Sequence, residues 1–293
     1  MQPTPKRKKG KRIMQWILGT IAVAAVGAII WFSIPYSPTR SEFRQMTSDQ
    51  VARSSANMAN GVFTEEDIAR LPEPVKRYFR YTGHIGKPKM VNMKAYYNDV
   101  DFVLSGKKIK IKYTQYDFAD EPVRIAYIDT RMFGIPFEGL DAYYPGEGFM
   151  KGVLAKSITL FDQRGPSMDK SSLVTCLAEA LLIPNLALQD FVTWQEIDDT
   201  HARATMEYYG ISVSGVFEFS ENGEMIRFTT DDREYADPSG KTQMVRWSAV
   251  MGDYRESGGI KRPTSLKGVW HFETGDLVYF DGRDIVVEYD VGE

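Results

Sequence analysis

Residues 171–188 read SSLVTCLAEALLIPNLAL, and this stretch decides the fold. Glu179 is its single charged residue, and a helix that is apolar almost all round is a buried helix. Pro184 lacks a backbone donor and disfavours helix at the residue before it, so the regular part is expected to end near Ile183. Thr175, Cys176 and Glu179 would form the one polar stripe on this helix. Strand-like segments run up to it and away from it, and a sheet is the natural cover for a buried helix.

On the N-terminal side the period is two. Ile109, Ile111 and Tyr113 alternate with Lys108, Lys110 and Lys112, which reads as a half-exposed strand. Ser105-Gly106 should turn the chain into it from 100–104, and further strands are expected at 123–129, 139–144 and 158–161. Beyond the helix the spacing predicts strands at 191–196, 202–209, 211–219, 224–235, 242–252, 264–272, 277–280 and 284–290. Asn222-Gly223, between two alternating runs, is a strong hairpin signal.

So many strands in sequence cannot stay flat, because twist accumulates from one strand to the next. The expected fold is α+β and mainly antiparallel β. A long meander sheet curls as a half-barrel around the central apolar helix, preceded by an N-terminal transmembrane helix and a short helical segment. An apolar cavity is expected between sheet and helix.

Residues 13–34, IMQWILGTIAVAAVGAIIWFSI, contain no charge. At about 1.5 Å per residue they span a hydrocarbon core of roughly 30 Å. Trp16 near one end, with Trp31 and Tyr36 near the other, fits an interfacial aromatic belt. Lys6, Arg7, Lys8, Lys9, Lys11 and Arg12 precede the run with no acid among them, which directs that end to the cytoplasm. The run is longer than a signal peptide's apolar region and ends in WFSIPYSP rather than small residues, so an uncleaved signal anchor is expected.

The organisation follows: a basic cytoplasmic end (1–12), an anchor (13–35), a mostly polar juxtamembrane stalk with some helix (36–63) and one extracytoplasmic β-rich domain (64–293). Within that domain Thr64-Glu65-Glu66-Asp67 looks like a helix start. A second helix is expected over Glu73–Thr82, with Pro74 in its first turn and Gly83 as its stop.

Subtracting the six N-terminal positive charges from the chain's −3 leaves the remainder at −9. An acidic body argues against nucleic acid as a partner. The single cysteine, Cys176, excludes an intrachain disulfide and reads as a buried hydrophobe. There is no G-x-S-x-G, no H-E-x-x-H and no Cys/His cluster. No cofactor or metal is therefore expected, no catalytic residue is assigned, and an enzyme is the less favoured class.

Three constellations remain. Asp198, Asp199 and His201 offer a carboxylate beside an imidazole, the raw material of acid/base catalysis. Acids in a turn more often face water. Glu179, if buried, needs a partner, and Arg233, Arg246 and Arg255 are candidates. Trp194, Trp247 and Trp270, with Tyr208, Phe217 and Phe228, could line an apolar pocket or simply fill the core. The candidate ligand-binding residues are thus Glu179, Trp194, Tyr208, Arg233, Trp247 and Trp270. Asp117, Asp120 and Glu121 read as a solvated turn.

LPEPVKRYFRYTG (71–83), CLAEALLIPNLAL, WQEIDDTHARATM (194–206), ENGEMIRF (221–228) and DYRESGGIKRP followed by Trp270 together resemble a bacterial envelope family of unknown function. The resemblance covers roughly 65–291 and implies no activity. A weaker, architectural likeness is to lipoprotein carriers of the LolA and LolB type, carried by the G-x-x-x-P step from Gly259 to Pro263. Those carriers are released from the membrane, whereas this chain keeps an anchor. The expected function is a membrane-tethered extracytoplasmic module holding a lipid or other hydrophobic ligand, single-pass in a bacterial inner membrane. A partner-binding envelope protein with a solid core is the alternative, and an enzyme using Asp198, Asp199 or His201 comes third.

Overall fold

The computed structural model describes residues 6–56, 61–104, 106–237 and 241–292. Helices α1 (Lys6–Ser33), α2 (Pro38–Ala56) and α3 (Glu73–Thr82) come first. Six strands follow: β1 (Asn92–Leu104), β2 (Lys107–Phe118), β3 (Arg124–Met132), β4 (Ile135–Tyr143), β5 (Gly148–Leu154) and β6 (Ile158–Arg164). After α4 (Pro166–Glu179) come β7 (Val192–Glu196), β8 (His201–Tyr208), β9 (Ile211–Phe219) and β10 (Met225–Thr230). Two small hairpins, β11 (Glu234–Ala236) with β12 (Thr242–Met244) and β14 (Arg255–Ser257) with β15 (Ile260–Arg262), flank β13 (Arg246–Gly252). The chain ends with β16 (Ser265–Phe272), β17 (Gly275–Arg283) and β18 (Val286–Tyr289).

Fourteen strands make one antiparallel sheet in the order β6-β5-β4-β3-β2-β1-β17-β16-β13-β10-β9-β8-β7, with β18 also on β1. The sheet curls without closing, as accumulated twist requires. α4 lies in its concavity, with Pro166 opening the helix, a position where the missing N–H costs nothing. Leu173, Val174, Leu177, Ala178, Ala180, Leu181 and Ile183 are at most 1% exposed. They belong to one contiguous apolar cluster with Met93, Ile128, Met206, Phe217, Phe228 and Trp247 from the sheet. Burial of each large aliphatic side chain there contributes about 1.5–3 kcal/mol.

Regular helix ends earlier than expected, at Glu179. Leu182 then donates to the Glu179 carbonyl, and Pro184 begins a turn that leads to a short 3₁₀ segment at Leu186–Leu188. The helix expected over Glu73–Thr82 is α3, capped by Gly83 in the left-handed conformation (φ 77°). A side chain at Gly83 would also meet the Gly259 carbonyl oxygen at 2.6 Å. Thr64 and Asp67 exchange cap-like hydrogen bonds, but the chain behind them forms turns rather than a helix because Pro72 follows so soon.

Residues 36–63, expected as a stalk, contain α2, which packs on the convex face of the sheet. Phe43 and Val51 join Phe118, Ile125, Tyr127, Leu140 and Phe149 in a second core, and Phe43 stacks on Tyr127 at 5.3 Å. The rest of the buried face of α2 is polar: Thr39, Thr47, Gln50 and Ser54. Thr47 donates to the Phe43 carbonyl and Ser54 to the Asp120 carboxylate. Ser37 caps the helix by accepting from the Arg40 N–H at 3.0 Å, with Pro38 in the first turn. Residues β2 to β5 are therefore covered on both faces.

Among the described residues, one helix is long and apolar enough to cross a membrane, and its most apolar window is entirely unburied.

Candidate functional site

Glu179 is 6% exposed, and its partner is Arg124 rather than Arg233, Arg246 or Arg255. Arg124 Nε donates to Glu179 Oε2 at 2.9 Å and Nη1 to Asp141 Oδ2 at 2.9 Å, while Nη2 donates to the Tyr113 hydroxyl. Gln115 Nε2 bridges Glu179 and Asp117, 2.6 Å from a carboxylate oxygen of each. Asp117 is not part of a solvated turn. It ends β2 at 3% exposure, and burial, reinforced by the nearby Glu179 charge, pushes its carboxyl well above the usual range. The expected pairing failed because the Glu179 carboxylate, at the end of α4, faces Gln115 of β2 and Arg124 of β3, while Arg233 stacks on Trp247 and Arg246 and Arg255 pair with Asp231 and Asp284.

This cluster ties the helix to β2, β3 and β4. It includes the β4 carboxylate Asp141 and stands beside Cys176, whose thiol donates to the Pro122 carbonyl. Burial pushes that thiol well up, so it is inert as a nucleophile. The arrangement has no open face for a substrate and acts as a structural joint.

Arg233, Trp247 and Trp270 do come together. The Arg233 guanidinium stacks 4.3 Å from the Trp247 ring centre and 5.5 Å from that of Trp270. Tyr235 meets Trp270 edge-on at 5.3 Å. Arg233 Nη1 and Trp247 Nε1 are buried without a hydrogen-bond partner. Trp194 and Tyr208 are elsewhere. Trp194 donates to the Ala187 carbonyl at 2.9 Å and packs on Phe217, and Tyr208 packs on Phe191 and Tyr209. Of the six candidates, Arg233, Trp247 and Trp270 thus meet, while Glu179, Trp194 and Tyr208 each have other partners.

Asp198 and His201 form a surface turn. Asp198 Oδ1 accepts from the backbone N–H of Thr200 and His201, and its carboxylate meets His201 Nδ1 at 2.9 Å. The Thr200 amide and the imidazole hold the Asp198 carboxyl down at about 2. Glu179 lies in the core with other partners, Gln115 and Arg124, and is not part of this surface pair.

In the concavity expected to hold a ligand, α4 and the sheet share one contiguous buried apolar cluster. A cavity of about 440 Å³ lies on the other side of the sheet, where α1 gives way to α2. Phe32 to Tyr36 form one wall and β1 to β4 the other. Five cations line it: Arg40, Lys110, Lys112, Arg131 and Lys156, against the carboxylates of Asp99, Asp129 and Glu138. Arg40 is held by Asp129 at 3.0 Å, and Lys110 by Asp99 and Asp101. Lys156 donates to the last carbonyls of α1, Trp31 at 2.8 Å and Ile34 at 2.6 Å, where a cation also complements the helix dipole. Glu138 accepts from Ser37 at 2.7 Å and from the Tyr127 hydroxyl, and its second oxygen is buried without a partner.

None of these cavity residues was among the sequence candidates. The signal was present as the alternating Lys108, Lys110 and Lys112, but it read only as the wet face of a strand. What gives that face a role is the neighbouring end of α1, more than seventy residues earlier in the chain.

A model of the family of unknown function DUF6544 matches residues 61–282. The chain belongs to that family. No protein of curated function matches the sequence. Solved structures with a similar course include a DUF1329 family protein from Desulfovibrio piger ATCC 29098, at 15% identity over 75% of this chain and 95% of that one, TM-score 0.33. A LolA superfamily protein from Nitrosomonas europaea matches at 11% identity over 72% of this chain and 92% of that one, TM-score 0.35. Likeness at this level has no bearing on function. In this DUF6544 chain both α2 and the cavity-lining end of α1 precede the matched region, whereas Lys110, Lys112, Arg131 and Lys156 lie within it.

Proposed function

We propose that this DUF6544 protein is a membrane-tethered extracytoplasmic binding module for a phospholipid, with the headgroup held in the cavity beside the outer end of α1. The observation that carries the reading is the position of that cavity. Its walls are the segment that ends the helix found, among the described residues, to be able to span a bilayer, and a cationic stretch of sheet. A headgroup phosphate at that depth would meet Lys112 and Arg131, both exposed and neither in a salt bridge among those of the described residues. Its acyl chains would remain in the bilayer beside α1, so no apolar pocket inside the domain is needed.

Native mass spectrometry of the detergent-solubilised full chain tests this. Added phosphatidylglycerol should be retained in preference to phosphatidylcholine, and the double variant Lys112→Glu/Arg131→Glu should lose that preference. Both side chains are at the surface, so folding is preserved. Equal retention of the two lipids by the wild type would sink the proposal. The contiguous apolar cluster between α4 and the sheet favours a second reading, a partner-binding envelope protein with a solid core. That reading would be preferred if no lipid co-purifies and the variants behave like the wild type.

A further inference from the structure

One end of the sheet carries apolar side chains that the folded domain leaves unused. β3 and β4 are joined by the two-residue turn Phe133-Gly134, with Met132 opposite Ile135. Both turn residues have positive φ, 53° and 82°, as a type I′ hairpin turn requires. That conformation suits Gly, Asn or Asp and strains a bulky side chain. Phe133 occupies it nevertheless and is 93% exposed, so the fold returns almost nothing for the strain. Tyr209 holds the matching position in the β8–β9 turn, but its ring packs on Tyr208 at 4.9 Å and lies against Gly146. A strained, unused aromatic is the kind of local inconsistency that marks a functional position.

The location says what uses it. β4 pairs with β5, Phe137 opposite Leu154, so the Phe133 turn lies beside the β5–β6 turn. That second turn grips the end of α1. Trp31 Nε1 donates to the Ala155 carbonyl at 3.4 Å, and Lys156 donates to the Trp31 and Ile34 carbonyls. Ile158 and Leu160, 55% and 49% exposed, extend the apolar strip along the edge strand. Arg131, one residue pair behind the tip, donates to the Gly134 carbonyl at 3.2 Å and is otherwise exposed. Apolar tips with cations just behind them match the layering of a lipid leaflet, acyl chains below and phosphates above.

We infer that this end of the sheet rests on the bilayer, with Phe133 and Ile135 inserted below the headgroups and Arg131 at phosphate level. The inference rests on α1 being a membrane span, since that helix brings the two turns to the surface. α2 runs from here along the convex face, from Asp129 at its start to Asp120 near its end. The domain is therefore seated in one orientation instead of swinging on a tether. The mouth of the cationic cavity then opens at the leaflet surface.

The test uses the full chain in vesicles of phosphatidylcholine and phosphatidylglycerol that carry acyl-chain spin-labelled lipid. Single-site variants Phe133→Cys, Ser33→Cys and Glu147→Cys are labelled with an environment-sensitive fluorophore; Cys176 is buried and stays unlabelled. Glu147 is exposed at the far end of β4, roughly 27 Å from the tip at about 3.4 Å per residue. The label at 133 should be quenched and blue-shifted like that at 33, and the label at 147 should be neither. Moving the label to Ile158→Cys and adding Phe133→Asp should then reduce quenching at 158. Quenching at 33 with none at 133 would overturn the seating alone. No quenching at either site would overturn the membrane span and the seating with it.

Discussion

Arg124→Met removes the one cation from the joint between α4 and the sheet while keeping most of its volume. Arg124 and Glu179 have only 6% and 8% of their side chains exposed, and Asp141 26%. Without the guanidinium, Glu179 keeps only the Gln115 amide as a donor, and Asp117 lies a single side chain away. Breaking a buried pair by removing one partner costs about 3–5 kcal/mol, chiefly because the remaining charge stays desolvated. For a domain of this size each kcal/mol moves the melting temperature by about 2–4 °C, so a fall of roughly 6–20 °C is expected. Thermal unfolding followed by near-UV circular dichroism reads it. The double variant Arg124→Met/Glu179→Leu removes the orphaned charge as well and should recover part of the loss. Its cost should fall below the sum of the single costs by at least about 1 kcal/mol. A drop below about 2 °C for Arg124→Met, or strict additivity in the double variant, would refute the view of this cluster as a coupled, desolvated joint.

Two further predictions concern pH. Burial and the Glu179 charge raise the Asp117 carboxyl, so the folded state keeps a proton that an unfolded Asp loses above about 3.9. Stability contributed here is therefore lost as pH rises from that value through the raised one. Asp117→Asn, measured by urea unfolding, should be more stable than the wild type at pH 8 with the gap closing near pH 4; equal stability at pH 8 would contradict the assignment. His84 has the opposite sense. Burial, then the Arg262 charge, hold its imidazole down at about 3, so stability falls as pH drops from about 6.5 towards that value, by up to about 1.4 kcal/mol per pH unit. His84→Leu, packed between Phe63 and Phe79, should show a shallower acid limb, and an unchanged slope would count against a neutral buried imidazole.

The candidate site was legible only in fragments. Arg233, Trp247 and Trp270 meet as a set because β10, β13 and β16 are neighbours in the sheet, an order that strand spacing alone hints at but does not fix. The partner of Glu179 was out of reach by the same route. Many arginines lie on strands, and which one faces the helix depends on where in a fourteen-stranded order the helix lands. The cavity was invisible for a third reason. Its walls come from the end of α1 and from β1 to β4, which no local pattern connects.

The sequence by itself determined the long apolar N-terminal helix, the buried helix, the meander of strands and the α+β class, because each depends on a periodicity or a run length that local residues carry. Glu73–Thr82 and its Gly83 stop were readable for the same reason. Tertiary structure alone decided that residues 38–56 are a packed helix. Its buried stripe is Thr39, Phe43, Thr47, Gln50, Val51 and Ser54, correctly spaced for a helix face but too polar to register as one. Thr47 and Ser54 can be buried because hydrogen bonds within the helix and to the sheet satisfy them. It also decided that Asp117 lies in the core and that Phe133 stands exposed in a turn of positive φ. Burial and exposure of single side chains follow from which elements meet, and only the folded chain brings those elements together.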